Sequence, residues 1–192
     1  AEVILEEDIQ AYSLRKIHIL NGCHTYLSAK GLMLGYQTVG EFVADKENLS
    51  RLDKMVNEEM IPFLGMEASE LKTYKEEIFA RFANPFVDHR LEDIMLNATA
   101  KFKSRLLPLM AQFGKVSKGL YPEEISKGLI YLILFYLKNP KRVKETADVR
   151  TILNQIPTEI STKEKIHWVI KNLFDLAWNP VLEKAYQEIS SA

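Results

Sequence analysis

Lys16, Asn21 and His24 stand within nine residues of one another in the stretch "RKIHILNGCHTYLS". An amine, a primary amide and an imidazole in one place are groups that exchange protons and donate hydrogen bonds, the equipment of a catalytic site. Closeness in sequence becomes closeness in space only in the right secondary structure. Locally the stretch reads as a β-hairpin, because Asn21-Gly22 is a favoured two-residue turn between two alternating runs. A longer window reads as a helix: Ile17, Leu20, His24, Leu27, Gly31 and Leu34 recur at steps of three and four. The hairpin would also mix Leu20, His18 and Thr25 on one face, which is neither core nor surface. Periodicity favours the helix. At about 100° per residue, Asn21 lies ~140° and His24 ~80° around the axis from Lys16, with axial separations of ~7.5 Å and ~12 Å. A long lysine side chain can share a pocket with both. The same residues also have a plain structural reading, as a solvated lysine near a helix start and a hydrogen-bonded core histidine.

A metal is not indicated. Cys23 and His24, adjacent on a helix, diverge by about 100°, and with His18 they still lack a fourth ligand. Nor does anything beside Cys23 mark that thiol as a nucleophile.

The elements that must position these groups are helical. A first helix is expected over residues 12–32. Leu49, Leu52, Met55, Val56 and Met60 repeat at helical spacing up to Pro62, and Leu71, Tyr74, Ile78 and Phe82 form the stripe of the next helix, ended by Asn84-Pro85. A long helix over 86–107, closed by Pro108, would carry Asp93, Asn97, Lys101 and Arg105 as a polar stripe at every fourth residue. Pro122 opens a helix over 123–138, stopped by Asn139-Pro140. A shorter one is expected over 143–156. Ser161 with Glu164 spells a capping box, and Asn179-Pro180 opens a last helix to about Ile189. The reading is all-α: a single multi-helix domain over residues 1–192, with a short extended segment in the first ten residues.

Composition bounds the rest. With 25 Lys and Arg against 26 Asp and Glu in 192 residues, the net charge of -1 gives no field that would draw nucleic acid or an anionic membrane. A single cysteine excludes an internal disulfide and fits a reducing, cytoplasmic setting. The apolar run "LIYLILFYL" is shorter than the roughly 20 residues a spanning helix needs, so it reads as a core helix. None of the eight glycines forms a G-x-G-x-x-G or P-loop pattern. The first residue is not methionine and the chain enters its first element at once, which reads as a piece of a longer protein.

Lys16, Asn21 and His24 follow the K-x4-N-x2-H spacing of the polyol-specific long-chain dehydrogenases, the mannitol dehydrogenase family, which this sequence resembles. The lead-in "ILEEDIQAY" and a second block, "RFANPFVDHRLEDIMLNATAKFKSRLLP", are similar to that family too, and the likeness weakens only after about Tyr121. The resemblance implies the C-terminal domain of a two-domain enzyme that interconverts a secondary alcohol and a ketone with NAD and no catalytic metal. NAD would be held mainly by an N-terminal Rossmann-like domain that this chain does not contain, so the isolated chain would be inactive. By the motif, Lys16 would be the general base, Asn21 an oxyanion donor and His24 a hydrogen-bond partner of the substrate oxygen. Asn97, Lys101 and Arg105 would contact the substrate, with Lys103 and His89 as further candidates for a carboxylate. The second block looks most like members acting on the D-altronate/D-tagaturonate pair, with mannitol 1-phosphate, fructuronate and mannitol as alternatives. The rival is a non-enzymatic helical interaction module in which these residues are structural.

Overall fold

The computed structural model describes residues 9–191. The extended segment expected in the first ten residues lies outside these, except that Ile9 and Gln10 already belong to the first helix. From there α1 (Ile9–Arg15) runs into a π-helical turn (Lys16–Leu20) and on into α2 (Asn21–Leu34). The backbone at Asn21-Gly22 stays helical, which removes the hairpin. Gly35, at φ 94°, ends α2 in the left-handed conformation, and its N–H reaches the carbonyls of Gly31 and Leu32.

Next come α3 (Val39–Ala44) and α4 (Lys46–Lys54), the latter continuing through a second π turn (Met55–Met60) to a 3₁₀ turn (Ile61–Phe63). They are followed by α5 (Ala68–Phe82), α6 (Leu91–Ile94), α7 (Ala98–Arg105) and α8 (Leu107–Val116). The remaining helices are α9 (Glu123–Lys138), α10 (Ala147–Asn154), α11 (Thr162–Phe174) and α12 (Pro180–Ser190). No strand occurs among the described residues, only one antiparallel bridge between Thr38 and Arg90. The all-α class therefore stands, and none of the described helices is long and apolar enough to cross a membrane.

The long helix expected over 86–107 is not formed. Phe86 N–H turns back to Asn84 Oδ1 at 3.0 Å. His89 O accepts from Val39 N–H and Gln37 O from Leu91 N–H, both at 2.9 Å, so the backbone here is committed to a bridge. Asn97 then adopts φ 52°, a left-handed conformation that asparagine tolerates, and gives its N–H to Lys144 O at 2.8 Å. The stripe of Asp93, Asn97, Lys101 and Arg105 is therefore split between two short helices and the junction joining them. Pro108 sits in the first turn of α8, opening a helix rather than closing one. The expected helix over 143–156 contracts to α10, because Glu145 is drawn inward: its carboxylate accepts Thr99 N–H at 2.7 Å and the Tyr136 hydroxyl. A carboxylate at the N-terminus of α7 satisfies an orphan donor and suits the helix dipole.

The core is organised where α2 crosses α9, whose run Leu129 to Tyr136 is almost wholly buried. Removing each such Leu or Ile from water stabilises the fold by roughly 1.5–3 kcal/mol. Glu59, from the second π turn, caps α9 by accepting the N–H groups of Glu124 at 2.8 Å and Ile125 at 2.9 Å. Burial pushes its carboxyl up to about 7 despite those bonds. Gly128 permits the crossing itself, since a Cβ there would stand 2.9 Å from Cδ2 of the Tyr26 ring. That ring is fully buried and its hydroxyl is held by Glu124 at 2.8 Å, so it has nowhere to go. Gly128→Ala gains about 1 kcal/mol of helix propensity but overpacks the crossing by about 1–3 kcal/mol. Denaturant unfolding is expected to show a net loss of stability; an unchanged or raised midpoint would mean that Tyr26 can shift.

Candidate active site

The π turn changes how the three polar residues relate. In a π turn each N–H bonds five residues back, and Asn21 N–H reaches Lys16 O. Asn21 is thus stacked about one turn above Lys16, closer to its side than the ~140° of a regular helix. Lys16 is exposed at the foot of the turn, and its side chain has no hydrogen bond or ion pair with another described residue. Asn21 and His24 are half-buried further up. Gly22 sits between them facing inward, where a Cβ would meet Leu106 Cδ2 at 3.2 Å and Met60 Cε at 3.3 Å. The helical glycine therefore serves close packing of α2 against its neighbours.

The end of α7 meets this helix directly. Arg105 Nη1 donates to Asn21 O at 3.2 Å and to Thr25 Oγ1 at 3.1 Å, while Thr25 Oγ1 donates to Asn21 O at 2.9 Å. In return, Arg105 O accepts from His18 Nδ1 at 2.7 Å. One turn earlier on α7, Lys101 reaches back across the Asn97 junction to Ile94 O at 2.8 Å. Its ammonium is pushed down, first by burial and then by Arg105. Asn97 contributes its strained backbone and is half-buried. Lys103 points elsewhere, with its Nζ 6.0 Å from the centre of the Phe174 ring.

His24 lies under a partial roof. Its ring centre is 4.7 Å from that of Phe82 and 5.0 Å, edge-on, from that of the exposed His89. Burial first, then the charges of His89, Arg105 and Lys101, push its imidazole down to about 4. Its Nε2 is buried without a hydrogen-bond partner. An unpaired buried polar atom costs about 1–3 kcal/mol, and this one lies in the field of His89, Arg105 and Lys101. Cys23 is different: it is fully buried, and desolvation pushes its thiol far up. Among the described residues no group of His, Cys, Asp or Glu is arranged to hold a metal ion.

The structure thus brings Asn21, His24, Lys101 and Arg105 together, with His89 at the edge, and leaves Lys16 at the open end. Sequence reasoning missed Thr25, His18 and Phe82 as parts of the site. Each had a signal: Thr25 stands four residues after Asn21 on the same helix face, His18 lies between Lys16 and Asn21, and Phe82 belongs to the opening of the second block.

The unfolded chain protonates His24 near 6.5 and the folded chain near 4. The unfolded state binds more protons between those values, so His24 contributes stability that is complete above the upper value and is lost as pH falls through the window. Imidazole NMR of the chain should find His24 neutral at pH 5.5, with His89→Ala raising its titration point; a His24 that is charged at pH 6 would contradict the geometry.

The profile of the mannitol dehydrogenase C-terminal domain matches residues 8–190. The altronate oxidoreductase of Escherichia coli O139:H28 is 38% identical over 134 residues, which are 70% of this chain and 28% of that protein. The altronate oxidoreductase of Cronobacter sakazakii is 35% identical over the same length. The aligned chain therefore spans less than a third of these relatives. Among solved structures, Pseudomonas fluorescens mannitol 2-dehydrogenase, in a ternary complex with NAD and D-mannitol, aligns over 97% of this chain and 42% of its own with a TM-score of 0.64 at 20% identity. Substrate-free D-sorbitol dehydrogenase aligns over 68% of this chain and 27% of its own, with a TM-score of 0.60 at 23% identity. The fold is shared with both, and the chain belongs to the mannitol dehydrogenase family, of which it forms the C-terminal domain.

Proposed function

We propose that this domain carries the substrate side and the proton-transfer groups of an NAD-dependent oxidoreductase that interconverts a secondary alcohol and its ketone. The observation that carries the reading is the unpaired, uncharged His24 Nε2, buried on the same helix as Lys16 and Asn21 and flanked by Lys101 and Arg105. Lys16 takes the hydroxyl proton during oxidation and returns it during reduction. To act as a base it must lose its own proton, which covering of its exposed end by a second domain would favour through desolvation. The Asn21 side chain donates to the oxygen as negative charge develops on it, and His24 Nε2 bonds the same oxygen in its neutral form. Asn97, Lys101 and Arg105 contact the remaining substrate oxygens.

Among the described residues the left-handed glycines, Gly35, Gly65 and Gly119, are isolated ones, so no glycine-rich turn here cradles a pyrophosphate. The dinucleotide is assigned to a Rossmann-like domain beyond this chain, and NAD, when bound there, supplies the hydride acceptor. The altronate oxidoreductases among the relatives favour D-altronate and D-tagaturonate as the substrate pair. A carboxylate suits the two cations of α7, because charge-assisted hydrogen bonds are the strong ones. The setting is expected to be cytoplasmic.

In the intact enzyme Lys16→Ala should cut turnover by roughly 10²–10⁴-fold, with little change in NAD affinity. A variant at wild-type turnover would remove Lys16 from the chemistry. For the substrate, reduction of tagaturonate, fructuronate, fructose and fructose 6-phosphate is compared with NADH and NADPH. Tagaturonate is expected to be the best, and activity on fructose 6-phosphate alone would overturn the sugar-acid assignment.

A further inference from the structure

We infer that His18 is a positioning residue that holds the π turn in register, and so sets Lys16 and Asn21 at their working separation. His18 lies inside the turn, is only 8% exposed, and its Nδ1 stands 2.7 Å from Arg105 O. A carbonyl oxygen only accepts, so Nδ1 carries the proton and donates it. That carbonyl ends α7, where a helix leaves its last acceptors without partners. Arg105 closes the loop by sending Nη1 to Asn21 O and Thr25 Oγ1, at 3.2 and 3.1 Å. The end of α7 therefore grips the catalytic helix twice: within the π turn at residue 18, and immediately after it at residues 21 and 25. A π turn is a rare, locally unfavoured arrangement that reverts to the ordinary helical register unless something outside it holds it. Reversion would swing Lys16 about the axis relative to Asn21 while leaving both side chains chemically intact.

The inference rests on the roles proposed for Lys16 and Asn21, and the test separates the two. In the intact enzyme His18 is replaced by Asn, Gln and Leu. The Asn amide nitrogen reproduces the reach of Nδ1, whereas the longer Gln mimics Nε2. H18N is expected within threefold of wild-type kcat. H18Q and H18L should lose 10–100-fold in kcat, with the KM of substrate and NAD changed by less than threefold. In a cycle with Asn21→Ala, the loss in the double variant H18L/N21A should be smaller than the product of the two single losses, because His18 acts partly through that residue. Equal activity of H18Q and H18N, or fully additive losses in the cycle, would overturn the inference. N21A at wild-type turnover would instead remove the role of Asn21, and the contrast between H18N and H18Q would still be read through Lys16. Should H18L fail to fold, that contrast alone decides.

Discussion

The rotation of α2, and with it the direction in which Asn21 and His24 face, rests on one buried hydroxyl. Tyr26 is fully inside the protein, and its phenol must find a partner there; it donates to Glu124 Oε2 at 2.8 Å and accepts from Lys30 Nζ at 3.1 Å. The bond to Glu124, which crosses from α2 to α9, fixes the rotation of one helix against the other, and Lys30 supports it from within α2. Two residues along a helix differ by about 200°, so with Tyr26 turned to α9, His24 is carried to the opposite side. There it meets Phe82 and His89, and the cations of α7. The core contact and the site contact are two faces of a single rotational choice.

That choice is guarded by charge. Glu124 is buried, and Arg51, Lys127 and Tyr26 surround it, while Lys127 also pairs with Glu123 and Glu188. Taking charges out of water is costly, and such a network adds little net stability compared with an apolar core. Breaking it by removing one partner is far worse, because it strands a buried charge. The network therefore penalises other rotations of α2 more than it rewards the native one. Lys30 shows the strain of its position: burial pushes its ammonium down to about 8, although Glu124 pulls the other way.

Much of this was legible in the sequence because helical periodicity is a strong signal and the family spacing is specific. The capping box at Ser161 and Glu164 and the Asn179-Pro180 start appear as read, and the stretch from Ile17 to Leu34 is helical, although the π turn breaks the seam's phase and both of its ends are exposed. The break at Asn97 was not legible, since nothing local forbids a helix through "EDIMLNATAKF". Its cause lies elsewhere, in the Lys144 carbonyl and the Glu145 carboxylate, which compete for the backbone of residues 97–99. The six-residue α3 was missed for want of length, and α8 because Pro108 was read as the end of a helix rather than the first turn of one. Lys101 and Arg105 were legible as residues but not as partners, because Arg105 Nη1 turns inward to Asn21 and Thr25 and Lys101 to Ile94.

The π turn also explains a number in the motif. A regular helix brings two residues one turn apart when three others separate them, but Lys16 and Asn21 are separated by four. A π turn contains one residue more than an α turn, and Asn21 bonds back to Lys16 across that longer ring. The surplus residue is therefore a single insertion written into the motif, and the spacing K-x4-N is the sequence record of a widened turn. Deleting any one residue between the two would restore ordinary helix and keep the lysine one turn below the asparagine, with three residues between them instead of four.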